Sequence, residues 1–450
     1  MFLNDSGLLV GDTIAAVATP PGRGAIALIR VSGKEACTLV RRHIVRWPNE
    51  NRHATLSDVV DHNGALLDRA LVTVFLGPQS FTGEDMVEIG VHGGEVVSAL
   101  VMAALIRSGV RGALPGEFTR RAVLNGKLDL VQAEAVGDLI DAQSQAMHTV
   151  AIQQLNGKLS QRVLELRERI IELEAFLAYD IDFPEEDDGP ISHGVVLNKA
   201  SKLVYTLDQL LATASTGEVV RKGALVVIAG APNVGKSSLF NAILGMERAI
   251  VTNIPGTTRD AIETVIDVGP WPVRLVDTAG LRATHDIVEQ LGIEVSTRYL
   301  GSANVVLACG DTDEKVEEAV ANIKAMTSAS VIGVRTKADS GPSEASIRVS
   351  VVTGDGISIV LESIVGALSV QHGPLLIDAP ILLRERHRYA LDVARGEIEA
   401  FRLLWSQERL PAPVAATHLR IAAHALEEMI GTVDVEDILD RLFGTFCVGK

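Results

Sequence analysis

Cysteine is scarce in this chain, with three residues, Cys37, Cys309 and Cys447, far apart and no CxxC pair. An odd, scattered set argues against a disulfide framework, provides no zinc-ligand spacing and fits a reducing compartment. Long apolar runs are also missing. The run Leu225 to Ala229 has the length of a strand, and nothing approaches the roughly 18 residues that a membrane span requires. Positive charge is in deficit, 41 Lys and Arg against 57 Asp and Glu, giving a net charge of −16. That balance opposes binding nucleic acid through bulk electrostatics, although it leaves room for a local basic patch. Residues Met1 to Ser6 include an acid and lack the basic start of a secretory signal. No internal repeat or low-complexity tract stands out. The expectation is a soluble, cytoplasmic protein.

What is present is globular: 450 residues, 47% apolar and 22% charged, too long for one ordinary core and enough for two or three domains. The first 120 or so residues mix short branched apolar runs (Ala25 to Val31, Leu71 to Phe75) with turn chemistry at Pro20, Pro21 and Gly22 and at Gly93 and Gly94. Val96 to Ile106 is apolar on every side and is expected to form a mostly buried helix. This reads as a small α+β unit. From about Leu124 the pattern turns helical. Leu159, Val163, Leu166, Ile170, Leu173 and Leu177 step by four and three along one stripe. The acids and prolines between Asp180 and Pro190 break that helix, and a second runs from about Val196 to Ala214 with Leu203, Leu207 and Leu210 on one side.

Continuous apolar runs then begin at Ala224 to Ala229 and recur at Val273 to Val276, Val305 to Ala308, Val331 to Val334 and Ile347 to Val349, with helical segments between. Such alternation predicts a doubly wound, mostly parallel sheet covered by helices on both faces. After about Gly373 helix returns, with Leu419, Ala423, Leu426 and Ile430 on one face. The economical fold is multi-domain: an N-terminal α+β domain over 1–122, a helical domain in two parts over 123–221 and 374–450, and an α/β domain over 222–373 inserted between them.

Three segments of the α/β stretch carry chemistry. Gly230-Ala-Pro-Asn-Val-Gly235-Lys236-Ser237 follows a strand and opens a helix with Ser238. Glycines there let backbone N–H groups converge on phosphates, Lys236 brings positive charge to the β and γ oxygens, and the Ser237 hydroxyl ligates Mg²⁺. Asp277-Thr278-Ala279-Gly280 follows the second strand, where a carboxylate holds the magnesium water shell and the Gly280 N–H reaches the γ-phosphate. Thr336-Lys337-Ala338-Asp339 follows the fourth. A carboxylate there accepts both N1–H and the 2-amino group of guanine, for which adenine has no matching donors. The base is guanine and the enclosing fold a Ras-like P-loop domain. Ser350 to Gly354 is read equally well as a base-facing loop or as a plain turn.

Between the first two segments, Gly256-Thr257-Thr258-Arg259-Asp260 has the look of a switch loop, with Thr258 favoured to complete magnesium coordination. Leu281 stands where many small GTPases place a water-orienting glutamine, so the attacking water needs another partner. Glu289 is one candidate, and an exposed helix acid is the equally good ordinary reading. Positive charge for the developing β–γ anion comes from Arg259, Arg282 or a cation held by the Asn233 side chain. Two basic clusters, Arg120, Arg121 and Lys127, and Arg384, Arg386 and Arg388, read first as solvated helix faces.

On these motifs and several outside them the chain resembles the MnmE (TrmE) family of tRNA-modification GTPases over essentially its whole length. The further carriers are Pro20-Pro-Gly-Arg-Gly24 with Ile29-Arg30-Val-Ser-Gly33, Ser80-Phe-Thr-Gly-Glu-Asp85, Pro115-Gly-Glu-Phe-Thr119, Asn125-Gly-Lys-Leu-Asp129 with Gln132-Ala-Glu-Ala135, and the terminus Phe446-Cys-Val-Gly-Lys450. The resemblance implies an N-terminal folate-binding and dimerising domain, and a helical domain split by the G domain. It further implies a partner, the FAD- and NADH-using MnmG (GidA), with which the wobble uridine of certain tRNAs is modified at its 5-position, the one-carbon unit coming from a tetrahydrofolate. GTP hydrolysis, stimulated by K⁺, would drive association of the G domains.

Carried over residue by residue, Asn233, Thr252, Ile254 and Thr257 match the potassium-loop positions, Ser237 and Thr258 the magnesium positions, and Glu289 the catalytic glutamate. The GTP-contacting positions run through Asn233, Val234, Gly235, Lys236, Ser237 and Ser238, then Thr252, Asn253, Ile254, Pro255, Gly256, Thr257 and Thr258. Asp277, Thr278, Ala279, Gly280, Thr336, Lys337 and Asp339 complete them. Arg30, Glu88, Lys127 and Lys450 match the folate positions and Cys447 the C-terminal cysteine; by chemistry alone these are ordinary surface charges and a small hydrophobe. Two positions depart from the family pattern. Thr336 replaces the commoner Asn, and the terminus has Val448 where Ile is usual. A rival reading is a ribosome-assembly or other RNA-linked switch GTPase. It calls for a basic RNA-binding module after the α/β domain, where this chain instead has Glu427, Glu428, Asp434, Glu436 and Asp437.

Overall fold

Burial alternates along the strands of the first sheet, one face carrying the larger core and the other a smaller one around Ile14, Ala16, Met86 and Phe118. In the computed structural model, which describes residues 11–182, 193–246, 263–277, 298–340, 347–375, 379–407, 412–431 and 446–449, strands β1 (Ile14–Val17), β2 (Ile26–Ser32), β3 (Thr55–Val60), β4 (Leu66–Phe75), β5 (Met86–His92) and β6 (Arg111–Gly112) take the order β3-β4-β5-β2-β1-β6. All pairings are antiparallel except β1 with β6. Ala27, Ile29 and Val31 of β2, Val72 and Val74 of β4 and Val87, Ile89 and Val91 of β5 share one core with helices α1 (Ala36–Arg41) and α2 (Glu95–Arg107). Helix α2 corrects an expectation. Val101, Ala104 and Leu105 are buried, whereas Val96, Leu100 and Ile106 are 71%, 48% and 51% exposed, because a helix lying on one sheet face has only one stripe in contact.

Helices α3 (Glu117–Leu124) and α4 (Leu130–Ile140) follow. Here the sequence reading of Arg120 and Arg121 as a solvated face fails, for both are buried. The Arg121 guanidinium meets Asp12 at 2.5 Å, Glu84 at 3.0 Å and Glu117 at 3.1 Å, and Arg111 reaches Glu117 at 2.5 Å. Lys127 falls in the bend before α4 and so on no helix face. The C-terminal residues belong to this same unit, which comprises Met1–Gly137 and Ile430–Lys450. Val448 bridges Pro115, the Gly116 N–H donates to Cys447 O at 3.3 Å, and the Phe446 ring sits over Gly137, where a methyl would come within 3.1 Å of it.

The second unit, Asp138–Met429, begins with helices α5 (Gln145–Leu155), α6 (Lys158–Asp182), α7 (His193–Leu211) and α8 (Ala214–Lys222). The stripe Leu159, Val163, Leu166, Ile170, Leu173 and Leu177 is buried throughout, as its spacing predicts. Next come β7 (Ala224–Gly230), α9 (Lys236–Met246), β8 (Glu263–Val268), β9 (Trp271–Asp277), β10 (Val305–Gly310), α10 (Asp313–Lys324), β11 (Ser330–Arg335) and α11 (Ile357–His372). The unit ends in α12 (Glu385–Ser406) and α13 (Ala412–Ile430). The sheet order is β11-β10-β7-β9-β8, parallel except for the β8–β9 hairpin. Successive residues of β7 face opposite cores. Val226 and Ile228 pack with α9 and α11, and Leu225, Val227 and Ala229 pack with Ile323 of α10, which makes the sheet doubly wound.

Ile347 to Val349 does not extend this sheet as a further strand. It forms a single parallel bridge, Arg335 to Arg348, held by Arg335 N to Ile347 O at 2.9 Å and Val349 N to Arg335 O at 2.8 Å. The chain enters and leaves the α/β layer at one place. Thr216 of α8 donates to His372 O of α11 at 3.0 Å, Gln154 donates to Ile381 O at 2.9 Å, and Gly217 lies so close to Leu382 O that any Cβ would stand 1.8 Å from it.

Candidate nucleotide site

The carboxyl ends of β7, β9, β10 and β11 open on one edge of the parallel sheet, the side on which α/β proteins bind ligands. After β7 the backbone turns sharply into α9. Gly230 (φ 148°) is pressed against β10, where a Cβ would fall 2.3 Å from Cys309 O, so only glycine fits. Asn233 takes φ 61° and Gly235 φ 95°, a left-handed pair that curls the loop around its own N–H groups. Lys236, the first residue of α9, is buried, and its Nζ donates to Gly230 O at 3.0 Å and Ala231 O at 2.7 Å. Its ammonium therefore lies back along the loop. Ser237 and Ser238 are exposed in the first turn of α9, at the positive end of the helix. Asp277 ends β9 in register with Ile228, and its side chain is buried.

Thr336 to Asp339 follow β11 directly. Thr336 is 1% exposed; its N–H donates to Gly310 O at 2.9 Å, and its Oγ1 lies within reach of both Val234 O and, at 3.0 Å, the same Gly310 O. Lys337, at φ 53°, extends over the phosphate loop and donates to Asn233 O at 2.8 Å. Asp339 lies in a short 3-10 turn (Ala338–Ser340) and is exposed, with one carboxylate oxygen accepting from Ser350 Oγ at 2.9 Å. That bond ties the turn from Ser350 to Gly354 to Asp339. Gly310 is the member that sequence reasoning missed, since a glycine ending a strand carries no signal of its own.

Burial pushes the Cys309 thiol up to about 12, with Asp277 adding to the shift and Lys236 opposing it. Thr252, Asn253, Ile254, Pro255, Gly256, Thr257, Thr258, Thr278, Ala279, Gly280 and Glu289 lie outside the described residues, as do Arg259, Leu281 and Arg282. Among the described residues no cluster of His, Cys, Asp and Glu is large enough to hold a metal by itself, and no helix is long and apolar enough to cross a membrane.

In the first unit, Arg30 and Glu88 are cross-strand partners on β2 and β5, with Nε to Oε1 at 2.9 Å. Arg30 stands inside β2, and its guanidinium lies 5.8 Å from the Phe81 ring centre. The aliphatic stem of Lys127 flanks Gly83, and Cys447 is exposed. Lys450 lies outside the described residues.

Two family models match this chain: the MnmE helical domain over residues 130–447, and the N-terminus of GTP-binding protein TrmE over residues 13–127. The chain belongs to the MnmE family. Among relatives named tRNA modification GTPase MnmE, that of Aquifex aeolicus (strain VF5) is 37% identical, over 98% of this chain and 100% of its own length. Those of Azoarcus sp. (strain BH72) and Syntrophus aciditrophicus (strain SB) are 39% and 40% identical, again over 98% of this chain. The G domain of the T. maritima FeoB iron transporter aligns with 32% of the chain at 28% identity, with a TM-score of 0.25, too low to bear on the fold.

Proposed function

We propose that this chain is a guanine-nucleotide hydrolase acting in tRNA modification, with GTP held between the β7–α9 loop and the residues after β11. The observation that carries the reading is the meeting of three motifs at one sheet edge, where Asp339 is braced by Ser350 and Thr336 and Lys337 grip the phosphate loop. Lys236 and the N–H groups of Val234, Gly235, Ser237 and Ser238 bind phosphate, and Asp339 reads guanine. The hydroxyl of Ser237, in the first turn of α9, and the buried carboxylate of Asp277, at the end of β9, are the hard oxygen donors that Mg²⁺ takes. With Thr258, Ser237 would hold that ion, and Asn233, Thr252, Ile254 and Thr257 would hold K⁺. Bound there, the cations supply positive charge against the β–γ oxygens. Glu289 orients the attacking water, since Leu281 has no group to do so.

In the first unit, the adjacent cation and carboxylate of Arg30 and Glu88 suit the acceptor and donor edges of a pterin, with Phe81 alongside and Lys127 and Lys450 completing a tetrahydrofolate site. Cys447 lies exposed on the same unit. The domains are 1–122 for folate binding and dimerisation, 123–221 and 374–450 for the helical part, and 222–373 for the GTPase. The chain acts as a homodimer with MnmG (GidA), forming the 5-carboxymethylaminomethyl or aminomethyl group on the wobble uridine. A switch on RNA alone is less well supported, because the segment after the α/β domain carries Glu427, Glu428, Asp434, Glu436 and Asp437 in place of a basic module.

Mass spectrometry of wobble nucleosides from a strain lacking the gene tests this reading. Loss of the 5-substituted uridines, restored by the wild-type gene and not by a Lys236→Ala copy, is the expected outcome. Unaltered nucleosides would overturn it.

A further inference from the structure

The loop Ser80 to Asp85 and the turn Asn125 to Lys127 meet at Gly83, where a Cβ would lie 3.1 Å from Asn125 Cβ and 3.2 Å from Lys127 Cγ. The loop is fastened by its own bonds. Ser80 Oγ donates to Glu84 O at 2.5 Å, the buried Thr82 hydroxyl donates to Ser32 Oγ at 2.7 Å, and Ser32 Oγ donates to the Glu84 carboxylate at 2.8 Å. Phe81, the neighbour of Arg30, is held between these anchors. The turn is less secure. It closes α3 with Gly126 at φ 66°, the Gly126 N–H donating to Val123 O at 2.9 Å and the Lys127 N–H to Ala122 O at 2.8 Å. Leu124 to Lys127 are all exposed, and the end of a helix is the part that frays first. The Asn125 side chain ties this turn to the loop: its Nδ2 donates to Thr82 O at 2.7 Å. Lys127, with its stem along Gly83, forms no ion pair among the described residues, so its cation is open to a ligand.

We propose that Asn125 is a positioning residue for the tetrahydrofolate site: its amide pins the end of α3 to Thr82 O and so holds the Lys127 cation beside the loop that carries Phe81. The inference rests on the folate reading above and deepens it. A lysine is a flexible chain, and ordering it on binding costs part of what its charge contributes. With the turn pinned, the Lys127 stem is confined against Gly83 before any ligand arrives, and that cost falls. Arg30 needs no such help, because strand pairing holds it in β2 and Glu88 fixes its guanidinium at 2.9 Å. The two cations of the site therefore depend differently on Asn125.

The test is a set of double-mutant cycles on the binding of 5-formyltetrahydrofolate to the full-length protein, read by titration calorimetry. Asn125→Ala is expected to weaken binding roughly tenfold when Lys127 is present. In a Lys127→Met background, where the cation it positions is gone, the same substitution should cost less than about twofold. In an Arg30→Lys background the loss should stay at about tenfold, since that strand-borne cation does not rely on the turn. A merely structural role for Asn125 would not single out Lys127 in this way.

Unchanged affinity in Asn125→Ala would overturn the proposal, as would an equal loss in all three backgrounds or a loss that vanishes with Arg30→Lys as well. If Asn125→Ala fails to fold, Asn125→Asp, which keeps the shape and sets an acceptor against Thr82 O, is carried through the same cycles and decides by the same comparison. Failure of the wild-type protein to bind 5-formyltetrahydrofolate at all would instead overturn the folate reading.

Discussion

Asp339 offers a carboxylate where a guanine presents two donors side by side, and Ser350 Oγ occupies one of its oxygens at 2.9 Å. An amide at this position would turn one acceptor into a donor. Asp339→Asn is accordingly expected to weaken GTP binding by two orders of magnitude or so, the cost of leaving base donors unpaired in a site built for them, and to gain affinity for XTP, whose 2-oxo group accepts. Competition of the two nucleotides on the variant measures this; a variant that still prefers GTP would show that the base is read elsewhere. At this scale much of the site was legible in sequence. Gly230, Gly235, Lys236, Asp277 and Asp339 stand in positions that strand–loop–helix spacing identifies, because the chemistry demands those residue types just after strands. Ser350 was not legible, since a serine in a turn bonds its own backbone as readily as a distant carboxylate. Arg121 was misread for a related reason: sequence shows a charge, and only the fold shows that Asp12, Glu84 and Glu117 converge on it.

Those converging charges join separate elements, the chain before β1, the turn before β5, β6 and helix α3. Although burial raises their pKa values, the hydrogen bonds and charge of Arg111 and Arg121 prevail and hold both Asp12 and Glu117 below the usual carboxylate range. Carboxylates depressed in the folded state stabilise it at pH values above their unfolded pKa, near 4, and that contribution is lost as pH falls through the lower folded values. Thermal unfolding of the full chain should therefore show a first transition whose midpoint drops steeply below about pH 4. Glu117→Gln should lower that midpoint at neutral pH and make the acid slope shallower; an unaltered slope would mean that the network does not govern this region. Elements themselves followed the apolar pattern closely in α6, buried along one stripe, and in β7, a continuous apolar run buried on both faces. They departed from it where packing intervened: α2 is apolar all round yet contacts its sheet along one stripe, and Ile347 to Val349 has strand composition yet makes one bridge. Periodicity reports what an element is able to bury, not how much neighbouring surface it finds.

Over the whole molecule, the two compact units divide the chemistry. The Arg30–Glu88 pair and the docked C-terminal residues lie in one, and the parallel sheet with its nucleotide edge in the other. Both passages of chain into the α/β layer are held by contacts of Thr216, Gly217 and Gln154. The account stands or falls on guanine recognition by the intact chain. Hydrolysis and binding of GTP and ATP, measured side by side in KCl and in NaCl, test it directly. The expected result is binding of GTP at least about 100-fold tighter than ATP, as a site with a paired acceptor for two donors provides, with hydrolysis faster in KCl. Equal affinity for the two nucleotides would contradict it.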